Sequence, residues 1–294
     1  MIKSFLPSLK ANLIALALLP SASVLAASYE PSIEQSQWLN DGNIFGCRLY
    51  QPIPNFGLAV FEHRAGEEPV FLLESSRMLF AQTNGSLTIE APSYRSSALT
   101  SALGMVSLAQ PPEPVRVEPE RTYRLLAELE QGMAPAVTGM ALHGADTVHV
   151  RTAPNGFTDS MGQFHACQGM LLPVNFDQIE RSAVYFEFNQ AEYGDEAETL
   201  INNIATYVNA DPAITGLFVD GHADESGTRF YNRRLSEDRA SMVTNALIAA
   251  GVPAELILTR YHGERYPVSR DQALNRRVTI RLERVPNAPF EPGM

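Results

Sequence analysis

The sequence predicts an α+β chain in two parts, a β-rich barrel or sandwich over residues 27–172 and a β-α-β-α-β-β unit over 173–288. Three observations predict it. Pro, Gly and Asn clusters cut the first part into short strand-like runs. Strand alternation and helical stripes take turns along the second. The length suits two domains rather than one.

Residues 1–26 read as a secretory signal cleaved after Ala26, with Lys3 and Lys10, an apolar run from Leu13 to Leu19, and small residues Val24 and Ala26. No cysteine follows that site, so lipid attachment is not expected. No later run reaches about 18 apolar residues, so no membrane span is expected after the signal. The formal net charge is −11, and the signal removes two lysines and no acid, which argues against nucleic acid as a partner. Cys47 and Cys167 are the only cysteines. In an oxidising compartment they are expected to pair, the alternative being two buried thiols. Such a disulfide stabilises by roughly 4 to 5 kcal/mol in the chain-entropy account.

In chain order, strand-like runs fall at Leu58 to Phe61, Val70 to Leu73, Leu87 to Glu90, Val115 to Val117 and Thr147 to Val150. Only Arg121 to Leu129 looks helical in this half. His63, His143, His149 and His165 lack metal-ligand spacing, and no G-x-S-x-G nucleophile turn occurs, so neither a metal, a cofactor nor catalysis is expected.

Pro173 and the NFDQIERS segment form the expected connector. Val184, Phe186 and Phe188 alternate in a first strand over Ala183 to Asn189. Ala197, Leu200, Ile201, Ile204 and Val208 then trace a helical stripe that Asp211-Pro212 ends. A strand over 214–219 leads to a helix from Thr228, with Gly251 as its C′ residue. Ile257 to His262 supplies a third strand, and Val278, Ile280 and Leu282 alternate in a fourth. The proline-rich end, PNAPFEPGM from 286, has little to pack, and a disordered tail is expected over 289–294.

The segment from 216 to 239 organises the functional reading. Tyr231, Leu235, Met242, Val243, Ala246, Leu247 and Ala250 mark the expected core face of the long helix, and Arg239 falls among them. A charge placed there needs a partner. Asp224, in the loop before the helix, is the candidate. Either the two form a structural ion pair, or they await a zwitterion, its ammonium on Asp224 and its carboxylate on the Arg239 fork.

GHADESG at 221–227, YNRRLSEDRA at 231–240, GV at 251–252, HGE at 262–264 and NRRV at 275–278 resemble the signature of OmpA-like peptidoglycan-binding domains. That resemblance implies a mixed sheet. It also implies that Asp224 and Arg239 grip the diaminopimelate of the peptidoglycan stem peptide. Asn232, Arg276 and Asn189 match further positions lining the family's pocket, while Arg233, Arg234, Arg270, Arg281 and Arg284 are read as a solvated face. Ala223 stands where threonine is usual.

In the first half, QWLNDGNIFGCRLYQPIPNFGLAVFEHRAGEEPVFLLES at 37–75 and CQGMLLPVNFDQI at 167–179 resemble the N-terminal region of the MotY family, T-ring proteins of sodium-driven flagellar motors. The resemblance implies a periplasmic, non-enzymatic, ring-forming component of the flagellar basal body that helps position stator units beside a MotX-like partner. The alternative keeps the wall-binding module as a general envelope tether without a flagellar role. A metal-dependent peptidoglycan hydrolase using His222 and Asp224 is a third reading, and it lacks a spaced third ligand.

Overall fold

The computed structural model describes residues 26–285 except 82, 93, 96–99 and 145. All of the expected signal but Ala26, and the expected tail, lie outside the described residues.

The first half contains β1 (Ala26–Tyr29), β2 (Leu39–Asn43), β3 (Gly46–Ile53), β4 (Gly57–Arg64), β5 (Val70–Glu74), β6 (Asn84–Glu90), β7 (Thr100–Ser107) and β8 (Val115–Val117). Helix α1 (Pro119–Glu130), β9 (Ala134–Met140), β10 (Thr147–Arg151) and α2 (Phe157–Gln168) follow. They make two open five-stranded sheets, ordered β1-β10-β9-β6-β7 and β2-β3-β4-β5-β8. Neither closes, so of the two expected architectures the structure adopts a sandwich. Alternating inward residues, such as Leu87 and Ile89 on β6, fill one core shared by both sheets and the two helices. Trp38 stacks edge-on against Phe157 of α2, with ring centroids 5.0 Å apart.

Helix α2 corrects the expectation that only Arg121 to Leu129 is helical in this half. Its core contacts, Phe157, Met161 and Phe164, keep helical spacing, but Ser160 and Gly162 dilute the pattern. The helix carries Cys167, which is disulfide-bonded to Cys47 of β3 across 120 residues of chain.

The second half begins with a short helix, α3 (Phe176–Ile179), then β11 (Arg181–Tyr185), α4 (Asp195–Ala210), β12 (Ile214–Gly221), α5 (Arg229–Ala249), β13 (Ile257–Tyr261), α6 (Gln272–Asn275) and β14 (Arg277–Arg284). The sheet order is β11-β14-β12-β13. β12 and β13 are parallel, and β14 is antiparallel to both of its neighbours. Val278, Ile280 and Leu282 face the core beneath α4 and α5. Thr228 caps α5, its Oγ1 accepting from Tyr231 N at 3.3 Å, and Gly251 takes a φ of 97° just beyond the helix.

The turn between β2 and β3 reaches across the 172/173 division made on sequence. Phe45 packs edge-on against Tyr207 of α4, 5.4 Å between centroids, within the core of the second half. The connector is bolted down as well. Asn175 caps α3 in a capping box with Gln178 and donates to Ala65 O, and Gln178 donates to Gly66 O.

Candidate functional site

The buried face of α5 corrects the expected apolar stripe. Tyr231 and Met242 are 45% and 40% exposed, whereas Asn232, Ser236, Arg239, Ala240, Val243 and Leu247 are buried. The first turns of the helix therefore turn polar groups inward. Ser236 explains how the helix sits. A Cβ at Gly221, the last residue of β12, would run into the Ser236 carbonyl oxygen, so only glycine lets the strand end approach α5.

Arg239 is fully buried and cationic, and it does not pair directly with Asp224. Its Nε donates to Gln190 O at 2.8 Å, Nη1 to His222 O at 3.1 Å and Nη2 to Glu187 O at 3.2 Å. The Phe186 ring lies 5.1 Å from the guanidinium carbon. Burial pulls the Arg239 pKa down to about 10, with Asp224 opposing and Arg276 adding to the fall.

Asp224 is buried too, and its ion-pair partner is Arg276, Nη1 to Oδ2 at 3.2 Å. Its Oδ1 accepts from Ser226 N at 3.1 Å. Arg276 also donates from Nε to Phe186 O at 3.0 Å. Asn232 donates to Gly227 O at 3.3 Å and to Glu264 Oε2 at 2.6 Å. Asn189, at a φ of 58°, accepts from the Tyr231 hydroxyl. Asp224 and Arg276 thus pair beside Arg239, with Arg276 and Arg239 both bonded to carbonyls of the 186–190 segment, while Asn232 and Asn189 make separate contacts around the first turns of α5. The expected Asp224–Arg239 ion pair is replaced by Asp224–Arg276, because carbonyls of the 187–190 and 222 segments hold Arg239. Ala223 is buried, its N donating to Gly263 O at 2.9 Å.

Sequence reasoning missed the carbonyls of Glu187, Gln190 and His222, for which side-chain identity gives no signal. It also missed Asn275, whose Oδ1 accepts from Val268 N at 2.8 Å and fixes the loop before α6. Arg284, read as solvated, instead pairs with buried Asp211 at 3.0 Å.

Behind the network, Tyr185, Arg277, His222 and His262 follow one another across the four strands and their extensions. His222 stacks on His262 at 5.1 Å, and His262 Nε2 lies 2.7 Å from Asp220 Oδ1. Burial first, then Arg277 and His262, push the His222 pKa down to about 4, against the pull of Asp220. Burial raises the Asp220 carboxyl, but hydrogen bonds from Arg260 and His262 outweigh it, leaving the group below its ordinary value. His222 and Asp224, the pair needed by a metal-dependent hydrolase, face different partners. Among the described residues no group of three His, Cys, Asp or Glu side chains is placed to hold a metal, and no helix is long and apolar enough to cross a membrane.

Residues 29–173 match the MotY N-terminal domain, and residues 185–281 match the OmpA family. The sodium-type flagellar protein MotY of Vibrio parahaemolyticus serotype O3:K6 is 26% identical over 273 residues, covering 90% of this chain and 93% of that protein. Outer membrane protein A of Klebsiella aerogenes is 38% identical over 90 residues, 30% of this chain but only 26% of the relative's length. Among solved structures, the peptidoglycan-associated lipoprotein from Burkholderia pseudomallei shares 29% identity at a TM-score of 0.33, covering 34% of this chain and 89% of that one. The C-terminal domain of Helicobacter pylori MotB shares 21% identity at a TM-score of 0.33, covering 36% and 87%.

Proposed function

Because the chain joins a MotY N-terminal domain to an OmpA-family domain, we propose that it is a periplasmic flagellar motor component that anchors to peptidoglycan through residues 173–288. In this reading residues 27–172 associate with the basal body and a MotX-like partner, assemble into a ring, and help position stator units. Asp224 and Arg239 take the ammonium and carboxylate of diaminopimelate, and Asn232, Arg276 and Asn189 line the site.

The observation that carries the wall-binding part is the donor count at Arg239. A guanidinium has five N–H groups, and three are accepted by carbonyls. One N–H on each terminal nitrogen is left, the fork a carboxylate accepts. Asp224 meanwhile holds Arg276 in a single ion pair, and its carboxylate can accept from an incoming ammonium as well. Because Arg239 is fully buried, entry requires movement of the segment from Phe186 to Gln190. That segment lies beyond β11 and contributes two of the three carbonyls.

Sedimentation with purified sacculi tests the reading. The chain without residues 1–26 should pellet with intact wall, and Asp224→Asn should stay in the supernatant while remaining folded by circular dichroism. Release of soluble wall fragments would instead favour a hydrolase. Wall binding by a protein whose residues 27–172 recover no basal-body component would favour the general tether.

A further inference from the structure

On the other flank of α5 lies a cavity of about 230 Å³, lined by Arg229, Phe230, Arg233, His262, Glu264 and Arg265. Arg233 lies six residues before Arg239 and about 120° around the helix from it, so the cavity and the Asp224–Arg239 network occupy different faces of α5. Asn232 joins the two sides through its bonds to Gly227 O and Glu264.

The charges around the cavity are unbalanced. Three guanidiniums face one carboxylate, and that carboxylate is committed, since Glu264 accepts from Asn232 and lies 3.8 Å from Arg229 Nε. The ring nitrogen Nε2 of His262 is engaged with Asp220. Arg233 rests over the Tyr261 ring at 4.9 Å, which leaves the edge of its fork open. Neither Arg233 nor Arg265 has a carboxylate within ion-pair distance among the described residues. Phe230 is 79% exposed beside them. In a chain of net charge −11, a concave surplus of arginine beside a bare aromatic ring favours an anion attached to an apolar skeleton.

Resting on the wall-binding reading, we propose that this cavity holds a second carboxylate of the same stem peptide, with Arg233 and Arg265 as its cationic partners and Phe230 packed against the adjoining carbon chain. The reach is right. Six residues of helix rise about 9 Å, a span that the seven-carbon diaminopimelate skeleton and the γ-linked acidic residue before it cover together, and the stem peptide bears free carboxylates on both. Diaminopimelate fills the first site, and the neighbouring acidic residue reaches the second.

Calorimetry with two synthetic ligands tests this on the chain lacking residues 1–26. Free meso-diaminopimelate can reach only the Asp224–Arg239 site. The tripeptide L-alanyl-γ-D-glutamyl-meso-diaminopimelate can reach both. The wild type should bind the tripeptide about 10- to 100-fold more tightly than the free amino acid. The double variant Arg233→Gln, Arg265→Gln, made at two exposed positions, should lose that advantage while binding free diaminopimelate as the wild type does. An unchanged tripeptide affinity in the double variant, or an equal loss for both ligands, overturns the assignment. So does a wild type that binds the two ligands equally, which leaves the wall-binding reading standing. A wild type that binds neither overturns both.

Discussion

The two halves of α5 lie against the same sheet yet bury opposite chemistry. Toward its C-terminus the helix presses Val243 and Leu247 into the core, both fully buried among Val219, Val278 and Ile280. Toward its N-terminus it buries Asn232, Ser236 and Arg239. The apolar half needs only shape, and each side chain there contributes by leaving water. The polar half must find acceptors for the donors it hides, and backbone carbonyls of neighbouring loops take three of the five N–H groups of Arg239. One end of the helix therefore secures the fold, while the other holds loops in place around a charge.

The largest effect should come from Arg239→Ala. Removing the guanidinium orphans one buried and two part-buried carbonyls and leaves a cavity, and a loss of about 3 to 5 kcal/mol in chemical denaturation is expected, together with loss of wall binding. A variant as stable as wild type would break the contrast. Leu247→Ala should cost about 3 kcal/mol through its cavity while leaving wall binding per folded molecule unchanged. A loss of binding there would show that the halves are not separable.

Acid should strain the polar half selectively. Above pH 6.5 the His222 ring is neutral both folded and unfolded. Below it the unfolded chain takes up a proton that the folded one resists down to about 4, so stability falls with pH across that window, by about 2 kcal/mol at pH 5. Asp220, held below its ordinary value, adds a loss of the same sign at lower pH. His222→Gln should flatten the decline between pH 6.5 and 4 in thermal melts. A smaller change in stability, about 1 to 3 kcal/mol, is expected for Asp224→Asn, which keeps the Ser226 hydrogen bond but leaves the largely buried Arg276 cation without its carboxylate. In sacculus pelleting it should nonetheless behave like Arg239→Ala.

Much of the second half could be read from sequence because local rules and tertiary packing agree there. The helix start at Thr228, Gly251 beyond the helix end and the alternation of Val278, Ile280 and Leu282 each follow from backbone chemistry that needs no long-range information. The phase of α5 was misjudged for the opposite reason. Hydrophobic periodicity assumes that the buried face is apolar, and where a helix buries polar groups that assumption fails, which put Tyr231 and Met242 on the core face. Arg239 stood out as a charge out of place, but its carbonyl partners left no trace in residue identity. In the first half, α2 was hidden by Gly162 and Ser160, although its cysteine was paired correctly because only one pairing existed. Nothing in the sequence announced that Phe45 would cross into the other core.

That crossing has a mechanical consequence. Phe45 sits two residues from Cys47, and the disulfide ties its strand to α2. The turn between them is therefore a short, stiff lever rather than a tether. A pull on the second half must shear an aromatic ring out of its seat against Tyr207 before the connector at 173–175 bears tension alone. Load passes between the halves through packed side chains as well as along the chain.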